Sequence, residues 1–208
     1  MDSFRKYFSK VIKAHFPKDA PRLLVAMEKH FVQMSGDVAF ATTSINPMDR
    51  RLVVSAYFLA MVKTLDIRGE GFDTIRKLCL EVVTDYVRPK NAFHTMLKRL
   101  PPKLLNTYAG TLMLRWFAKK VGAKGDQDGF VAKVITDKAE TYGLGYGFDI
   151  VECGICKLFN KHNYNKYASV LCEVDEMTSA MAGLELIRTG TIARGGTKCD
   201  FRFRKKIA

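Results

Sequence analysis

The C-terminal third of the chain holds the segments that decide the fold. Residues 148–157 read FDIVECGICK, residues 171–175 read LCEVD, residues 186–192 read LIRTGTI, and residues 199–204 read CDFRFR. Short runs rich in β-branched and aromatic residues, with apolar positions alternating in the last one, are typical of strands. We therefore expect a small antiparallel sheet in this part of the chain, with helices inserted between its strands.

The glycine pair Gly195-Gly196 sets the expected register of the last two strands. A two-residue type I′ turn at this pair would place Arg188 opposite Phe203. One face of the hairpin is then apolar except for Arg188, so this face should pack on the core. A buried guanidinium needs a partner. Arg188 is therefore expected either to hold a substrate carboxylate or to form an internal ion pair with an acid such as Asp175 or Glu173.

The first 122 residues show helical rather than strand periodicity. Their apolar spacing and their proline and glycine positions predict helices over residues 2–15, 19–35, 47–65 and 73–87, and on either side of Pro101-Pro102. The β-branched run over residues 130–136 then predicts the first strand. The fold class expected from this order is α+β, with one domain over residues 1–208. Its helical part covers residues 1–122, and its sheet-containing part covers residues 125–206.

The charge balance is strongly basic, with 34 Lys and Arg against 21 Asp and Glu and a net charge of +13. Such a balance is compatible with nucleic-acid binding. However, the basic residues are spread along the chain, and no zinc-finger, RRM or KH signature is present. We therefore expect a basic surface that attracts small anions, and no nucleic-acid partner.

The hydropathy pattern gives no membrane segment, because the longest apolar run, residues 52–62, is too short to span a bilayer. The N-terminal residues lack the apolar core of a signal peptide. A cytoplasmic location is expected, and the five cysteines should be free thiols there.

The pair Cys153 and Cys156 forms a C-x-x-C motif where a strand passes into a helix. Three interpretations are open: a redox dithiol, half of a zinc site, and two small residues that pack in the core. A zinc site would need a second close pair, and Cys172 and Cys199 are not spaced as one. Structural packing is favoured, with no metal bound, and Cys156 is the better candidate for a reactive thiol because it lies in the first helical turn.

Cys172 and Asp175 are three residues apart, which places them on one face of a helix. A thiol beside a carboxylate could act as a nucleophile and its orienting base, or both groups could line a pocket. His162 could supply a base, but a surface position is the simpler expectation for it.

Taken together and in order, these motifs resemble the L-2-amino-thiazoline-4-carboxylic acid hydrolase family. The resemblance covers the C-terminal third of the chain. It rests on four sequence motifs: Glu-Cys-x-x-Cys-Lys after a strand, Leu-Cys-Glu-x-Asp, Arg-Thr-Gly-Thr, and Cys-Asp-Phe-Arg-Phe. It implies hydrolysis of a cyclic isothiourea, 2-amino-thiazoline-4-carboxylate, to a carbamoyl-cysteine. The alternative is a small-molecule-binding module of the same fold that has structural cysteines and no activity.

The chemistry of such a ring indicates which side chains are needed. Arg188 is the candidate for the substrate carboxylate, and Asp175 is the candidate for the exocyclic amino group. The attack on C2 would come from an activated water or from a thiolate, either Cys172 or Cys156. The expected substrate-binding residues are Arg188, Thr189, Thr191 and Cys199, and no cofactor or metal is needed.

Overall fold

The computed structural model describes residues 4–88, 107–123 and 125–205. Its elements confirm the α+β class, with helices first and a four-stranded antiparallel sheet in the C-terminal part. The helices are α1 Arg5–His15, α2 Ala20–Met34, α3 Arg51–Arg68, α4 Phe72–Val87, α5 Tyr108–Gly122, α6 Gly154–Lys161 and α7 Ala168–Met181. The strands are β1 Val131–Ile135, β2 Gly147–Glu152, β3 Leu184–Ile187 and β4 Cys199–Lys205. The helix expected just before Pro101-Pro102 falls outside the described residues.

Helix α3 is the central helix of the N-terminal part. Residues 55–62 are buried without exception, as expected for a helix that is apolar on most sides. It begins four residues later than predicted, because Asn46, which the Asn46-Pro47 pair suggested as its cap, does not cap it directly. Asn46 instead accepts a hydrogen bond from the Met48 N–H and precedes a short turn at residues 47–50.

Two buried side chains before α3 connect the helical part to the sheet. The side-chain amide of Asn46 donates to the Phe130 carbonyl at 2.8 Å, and Asp49 accepts from the Phe130 N–H at 2.8 Å. Asn46 is 2% exposed and Asp49 is fully buried, so these hydrogen bonds form away from solvent. They fix the start of β1 against the start of α3.

The sheet has the strand order β1-β2-β4-β3, and every neighbouring pair is antiparallel. Strand β4 alternates as predicted: Cys199, Phe201 and Phe203 are buried, while the residues between them are partly exposed. On the same face, Phe148 of β2 stacks on Phe201 with ring centroids 4.4 Å apart. This face packs on the core and carries the side chains that reach the candidate site.

The predicted two-residue turn at Gly195-Gly196 is wrong. Phe203 pairs with Leu186 rather than with Arg188, so the register differs by two residues. The strands end earlier than expected, and residues 188–198 connect them through a short 3₁₀ turn, Ile192–Arg194. This turn ends at Gly195, whose φ of 86° suits a residue without a Cβ. Because the shift is an even number of residues, Arg188 still lies on the same side of the hairpin as Cys199 and Phe201.

No helix in the described ranges has the length and hydropathy needed to cross a membrane.

Candidate functional site

The start of α6, helix α7 and strand β4 together enclose a small internal cavity of about 40 Å³. Four of the five cysteines contribute to its lining, together with one carboxylate and two guanidinium groups. Five of the seven predicted site residues are here: Cys156, Cys172, Asp175, Arg188 and Cys199. The rest of the lining is Arg51, Cys153 and mainly apolar side chains, among them Phe130, Ile150, Leu171 and Phe201.

Arg188 forms the internal ion pair that was one of its two expected roles. Its Nη1 donates to Oδ2 of Asp175 at 3.1 Å, and its Nη2 donates to the Cys172 carbonyl at 3.0 Å. The guanidinium lies over the Phe201 ring, 5.1 Å from its centroid. Its side chain is only 10% exposed, so these contacts replace most of its hydration. Arg188 therefore holds Asp175 in place across the cavity.

Asp175 is the only acid in the cavity lining, within the part of the chain that the structure describes. Burial raises the pKa of this carboxyl, while the charges of Arg51 and Arg188 and the hydrogen bond from Arg188 partly offset the effect of burial. A carboxyl with a raised pKa accepts a proton more readily near neutral pH than an exposed one does. The position therefore suits a general base.

Arg51, the first residue of α3, is a site residue that the sequence analysis missed. Its charge acts on Asp175, and its side chain borders the cavity. Within residues 4–88, 107–123 and 125–205 it makes no hydrogen bond or ion pair through its guanidinium. The two arginines and single carboxylate of the lining leave one positive charge unmatched, which suits an anionic ligand.

The cavity thiols differ in their electrostatic surroundings. Burial and the nearby Asp175 raise the pKa of Cys172 to about 12, and its thiol donates weakly to the Ala168 carbonyl. Burial also raises the pKa of Cys199, whose sulfur accepts the Ile192 N–H at 3.2 Å. The hydrogen bond that Cys156 gives to Cys153 raises the pKa of Cys156 and lowers that of Cys153. Of the four cavity thiols, Cys153 is therefore the one whose pKa is lowered, while that of Cys156, the thiol that the motif favoured as reactive, is raised.

The two predicted threonines line an adjoining open cleft of about 450 Å³, and Arg188 also borders this cleft. Thr189 is engaged with Asp200, which accepts its hydroxyl at 2.6 Å and its backbone N–H at 3.0 Å. Thr191 is 5% exposed, and its hydroxyl has no hydrogen-bond partner in the described residues. A buried hydroxyl without a protein partner usually forms its hydrogen bond with water or a ligand.

Two other polar residues near the motifs lie outside this cavity. His162 contacts Asp37, with 2.9 Å between Nε2 and Oδ2, and does not line the cavity. Glu173, the other acid suggested as a partner for Arg188, instead forms a two-bond ion pair with Arg76 of α4.

Of three comparisons with known proteins, one gives a match. No curated protein and no solved structure matches the chain. The sequence model of one family, described as L-2-amino-thiazoline-4-carboxylic acid hydrolase, matches residues 48–203. The match extends well beyond the C-terminal third that carries the motifs and includes α3, with Arg51 at its start. It covers most of the chain, and the protein therefore belongs to the L-2-amino-thiazoline-4-carboxylic acid hydrolase family.

Proposed function

We propose that the protein is a hydrolase that opens a small anionic cyclic isothiourea such as 2-amino-thiazoline-4-carboxylate, giving a carbamoyl-cysteine. The observation that carries this proposal is the meeting of Asp175 with two guanidinium groups at one cavity. An isothiourea with a carboxylate needs both kinds of group: an acid for its amino nitrogen and a cation for its carboxylate.

In this proposal Asp175 acts on the reacting end of the ring. Its carboxylate accepts a hydrogen bond from the exocyclic amino group and takes a proton from a water that attacks C2. The water oxygen stays on C2 and one of the two ring bonds at C2 breaks. If the carbon–sulfur bond breaks, the two protons of the water finish on the sulfur and on the ring nitrogen, and if the carbon–nitrogen bond breaks, both finish on the released nitrogen. Water is favoured over Cys172 as the attacking group, because a thiol with a pKa of about 12 is protonated at neutral pH.

The substrate carboxylate is assigned to Arg51 rather than to Arg188. Arg188 already donates to Asp175 and to the Cys172 carbonyl, whereas the guanidinium of Arg51 is available. Arg188 then acts as a positioning residue for Asp175, and the Thr191 hydroxyl is a further donor for the ring.

The ring enters from the open cleft that Thr189 and Thr191 line. The internal cavity of about 40 Å³ accommodates little more than one water, whose share of liquid volume is about 30 Å³. Residues 188–198, which line the cleft, therefore have to move when the ring reaches Asp175. We propose a small anion as the only partner, no cofactor, and a cytoplasmic location for the reaction.

The test is mass-spectrometric detection of carbamoyl-cysteine from the thiazoline with purified protein and no added cofactor. Asp175→Asn should lower turnover by roughly 10²- to 10⁴-fold, the usual contribution of a general base. Cys172→Ser should leave turnover nearly unchanged. Asp73→Asn, an exposed acid at the start of α4, is the matched control and should behave as the wild type.

A thiol titration of the product identifies the bond that breaks. A free thiol appears if the carbon–sulfur bond of the ring is cleaved, and a free amine appears if the carbon–nitrogen bond is cleaved. Saturable binding of the thiazoline with no product above the background rate would contradict hydrolysis and favour a ligand-binding module. Loss of turnover in Cys172→Ser with an intact fold would replace water by the Cys172 sulfur as the attacking group.

A further inference from the structure

The open cleft beside the internal cavity carries two opposite charges that the proposed mechanism does not use. Glu176 of α7 and Arg194, at the end of the 3₁₀ turn, both line this cleft of about 450 Å³. Both residues are exposed, and neither side chain forms a hydrogen bond or an ion pair within the part of the chain that the structure describes. Both groups are therefore available to a ligand.

The cleft adjoins the proposed reaction point, and Arg188 borders both spaces. Asp175 and Glu176 are consecutive residues of α7, but Asp175 lines the internal cavity and Glu176 lines the cleft. Because Arg188 is already engaged with Asp175, the available guanidinium is that of Arg51 in the cavity and that of Arg194 in the cleft. Each space therefore presents a carboxylate together with an available guanidinium.

A buried hydroxyl adds a third polar group to the cleft. Thr191 lines it, is 5% exposed, and has no partner for its hydroxyl among the described residues. Its carbonyl accepts the N–H groups of Arg194 and Gly196 at 3.0 and 2.9 Å, so the backbone of the turn holds Thr191 and Arg194 close together. An unpaired buried hydroxyl beside two unpaired charges, in a cleft of the size that small ligands occupy, indicates a binding site for a polar ligand.

We propose that this cleft binds small molecules that carry a carboxylate at one end and an amino-substituted C=N group at the other. Arg194 binds the carboxylate, Glu176 accepts the N–H groups of the nitrogen end, and the Thr191 hydroxyl forms a further hydrogen bond with the ligand. The inference rests on the proposed function for its natural ligand, the thiazoline, which has this pattern of groups. The cleft then binds both ends of the ring before residues 188–198 move and admit it to the internal cavity.

Two weak contacts make such a site selective for the combination of groups. An ion pair in an exposed cleft contributes little by itself, because water and salt screen it. A ligand with both groups gains both contacts for one loss of its freedom of motion, so it binds more tightly than a ligand with either group alone. Specificity at the entrance therefore depends on Glu176 and Arg194, and specificity at the reaction point depends on Asp175 and Arg51.

The test is an NMR titration with 2-amino-thiazole-4-carboxylate, an aromatic analogue that keeps both groups and has no hydrolysable thiazoline ring. Arg51→Ala is titrated beside the wild type, because it lacks the internal partner of the carboxylate and its remaining binding reports the cleft. We expect saturable binding to both proteins. Arg194→Ala or Glu176→Gln, each added to Arg51→Ala, should raise Kd by roughly 3- to 10-fold.

Two truncated analogues assign each contact. The analogue 2-aminothiazole lacks the carboxylate, so its Kd should be unaffected by Arg194→Ala but should rise in Glu176→Gln. The analogue thiazole-4-carboxylate lacks the amino group, so its Kd should respond to Arg194→Ala and not to Glu176→Gln. Arg22→Ala on α2 and Asp73→Asn on α4 are the matched exposed controls and should leave every Kd unchanged.

Absence of saturable binding to Arg51→Ala would overturn the proposal, as would Kd values that Arg194→Ala and Glu176→Gln change no more than the controls do. The readout needs no turnover, so its outcome is separate from that of the proposed function. Binding in the cleft with no carbamoyl-cysteine produced would contradict hydrolysis alone. Turnover of the thiazoline with no binding of the analogue to Arg51→Ala would contradict the cleft site alone.

Discussion

Asp175 shares the cavity lining with two guanidinium groups, for which we propose different tasks. Arg188 is nearly buried and fully engaged, so its removal leaves the carboxylate of Asp175 and the carbonyl of Cys172 without their donor. Arg51 has no such engagement in the described residues, so its removal leaves the fold intact. The two residue types are identical, and only the contacts distinguish a positioning residue from a ligand-binding one.

We therefore expect Arg51→Ala and Arg188→Ala to fail in different ways. Arg51→Ala should lower kcat/KM by roughly 10- to 150-fold through KM, since a hydrogen bond to a charged group contributes about 1.5–3 kcal/mol, and its Tm should match the wild type. Arg188→Ala should lower the free energy of unfolding by about 1–3 kcal/mol, because it leaves buried polar groups unpaired. Steady-state kinetics and thermal denaturation measure the two effects. Arg22→Ala, an exposed arginine on α2, is the control.

A rise in KM for Arg188→Ala without any loss of Tm would contradict this division. It would return the substrate carboxylate to Arg188, as the sequence first suggested.

The sequence could identify Arg188 but not Arg51. An arginine on an otherwise apolar strand face violates the local pattern, and this violation is visible without a structure. Arg51 stands at the start of a helix, where an arginine violates no rule. Its position at the cavity results from the packing of α3 against α6, between segments about a hundred residues apart in the chain, and no local signal encodes that contact.

At the scale of elements, the connection between β3 and β4 depends on one carboxylate. Asp200 of β4 accepts the Thr189 hydroxyl and the N–H groups of Thr189 and Gly190. Burial alone would raise the pKa of Asp200, but these hydrogen bonds outweigh it and hold the pKa below its ordinary value. The connection that lines the entry cleft is thus anchored next to Arg188.

The stability that Asp200 provides should depend on pH. Because its folded-state pKa is lowered, the contribution is present at neutral pH and is lost as the pH falls below the ordinary carboxyl value of about 3.9 and through the folded pKa. Asp200→Asn should therefore be less stable than the wild type by on the order of 1–2 kcal/mol at pH 7, and the difference should shrink towards zero in acid. Urea unfolding at both pH values measures it. A difference that stays constant with pH would show that the charge of Asp200 contributes nothing.

The same connection shows why strand faces were predictable and register was not. The alternation of β4 fixes which residues are buried, whatever the pairing partner. The register depends on the turn, and Gly195-Gly196 resembled a tight hairpin although the chain forms a 3₁₀ turn there. The Ile192 N–H bonded to the Cys199 sulfur, together with the Asp200 contacts, favours the longer connection. Such tertiary contacts are not visible in a glycine pair.

At the scale of the whole molecule, Asn46 and Asp49 make the helical part and the sheet depend on each other. We propose that the two parts form one domain and unfold together. Asp49→Ala would leave the buried Phe130 N–H without its acceptor, a loss of about 1–3 kcal/mol. Calorimetry should give a single transition at a lower Tm, with equal calorimetric and van't Hoff enthalpies. Two separate transitions in the wild type would contradict the proposal.

The α+β class and most of the helices followed from periodicity, because amphipathic helices bury one face wherever they are placed. The cavity could not be predicted from periodicity, because it requires α3, α6, α7 and β4 to meet at one point. We propose that the thiazoline ring reacts at this point.

The most direct measurement is a crystal structure of the Asp175→Asn variant with 2-amino-thiazoline-4-carboxylate, since the slow variant should retain the substrate. We expect residues 188–198 to have moved, the ring carboxylate to lie within hydrogen-bond distance of the Arg51 guanidinium, and the exocyclic nitrogen to contact the side chain at position 175. A ring bound in the separate cleft between α5 and β1, which Arg115 and Lys138 line, with this cavity unchanged, would contradict the account.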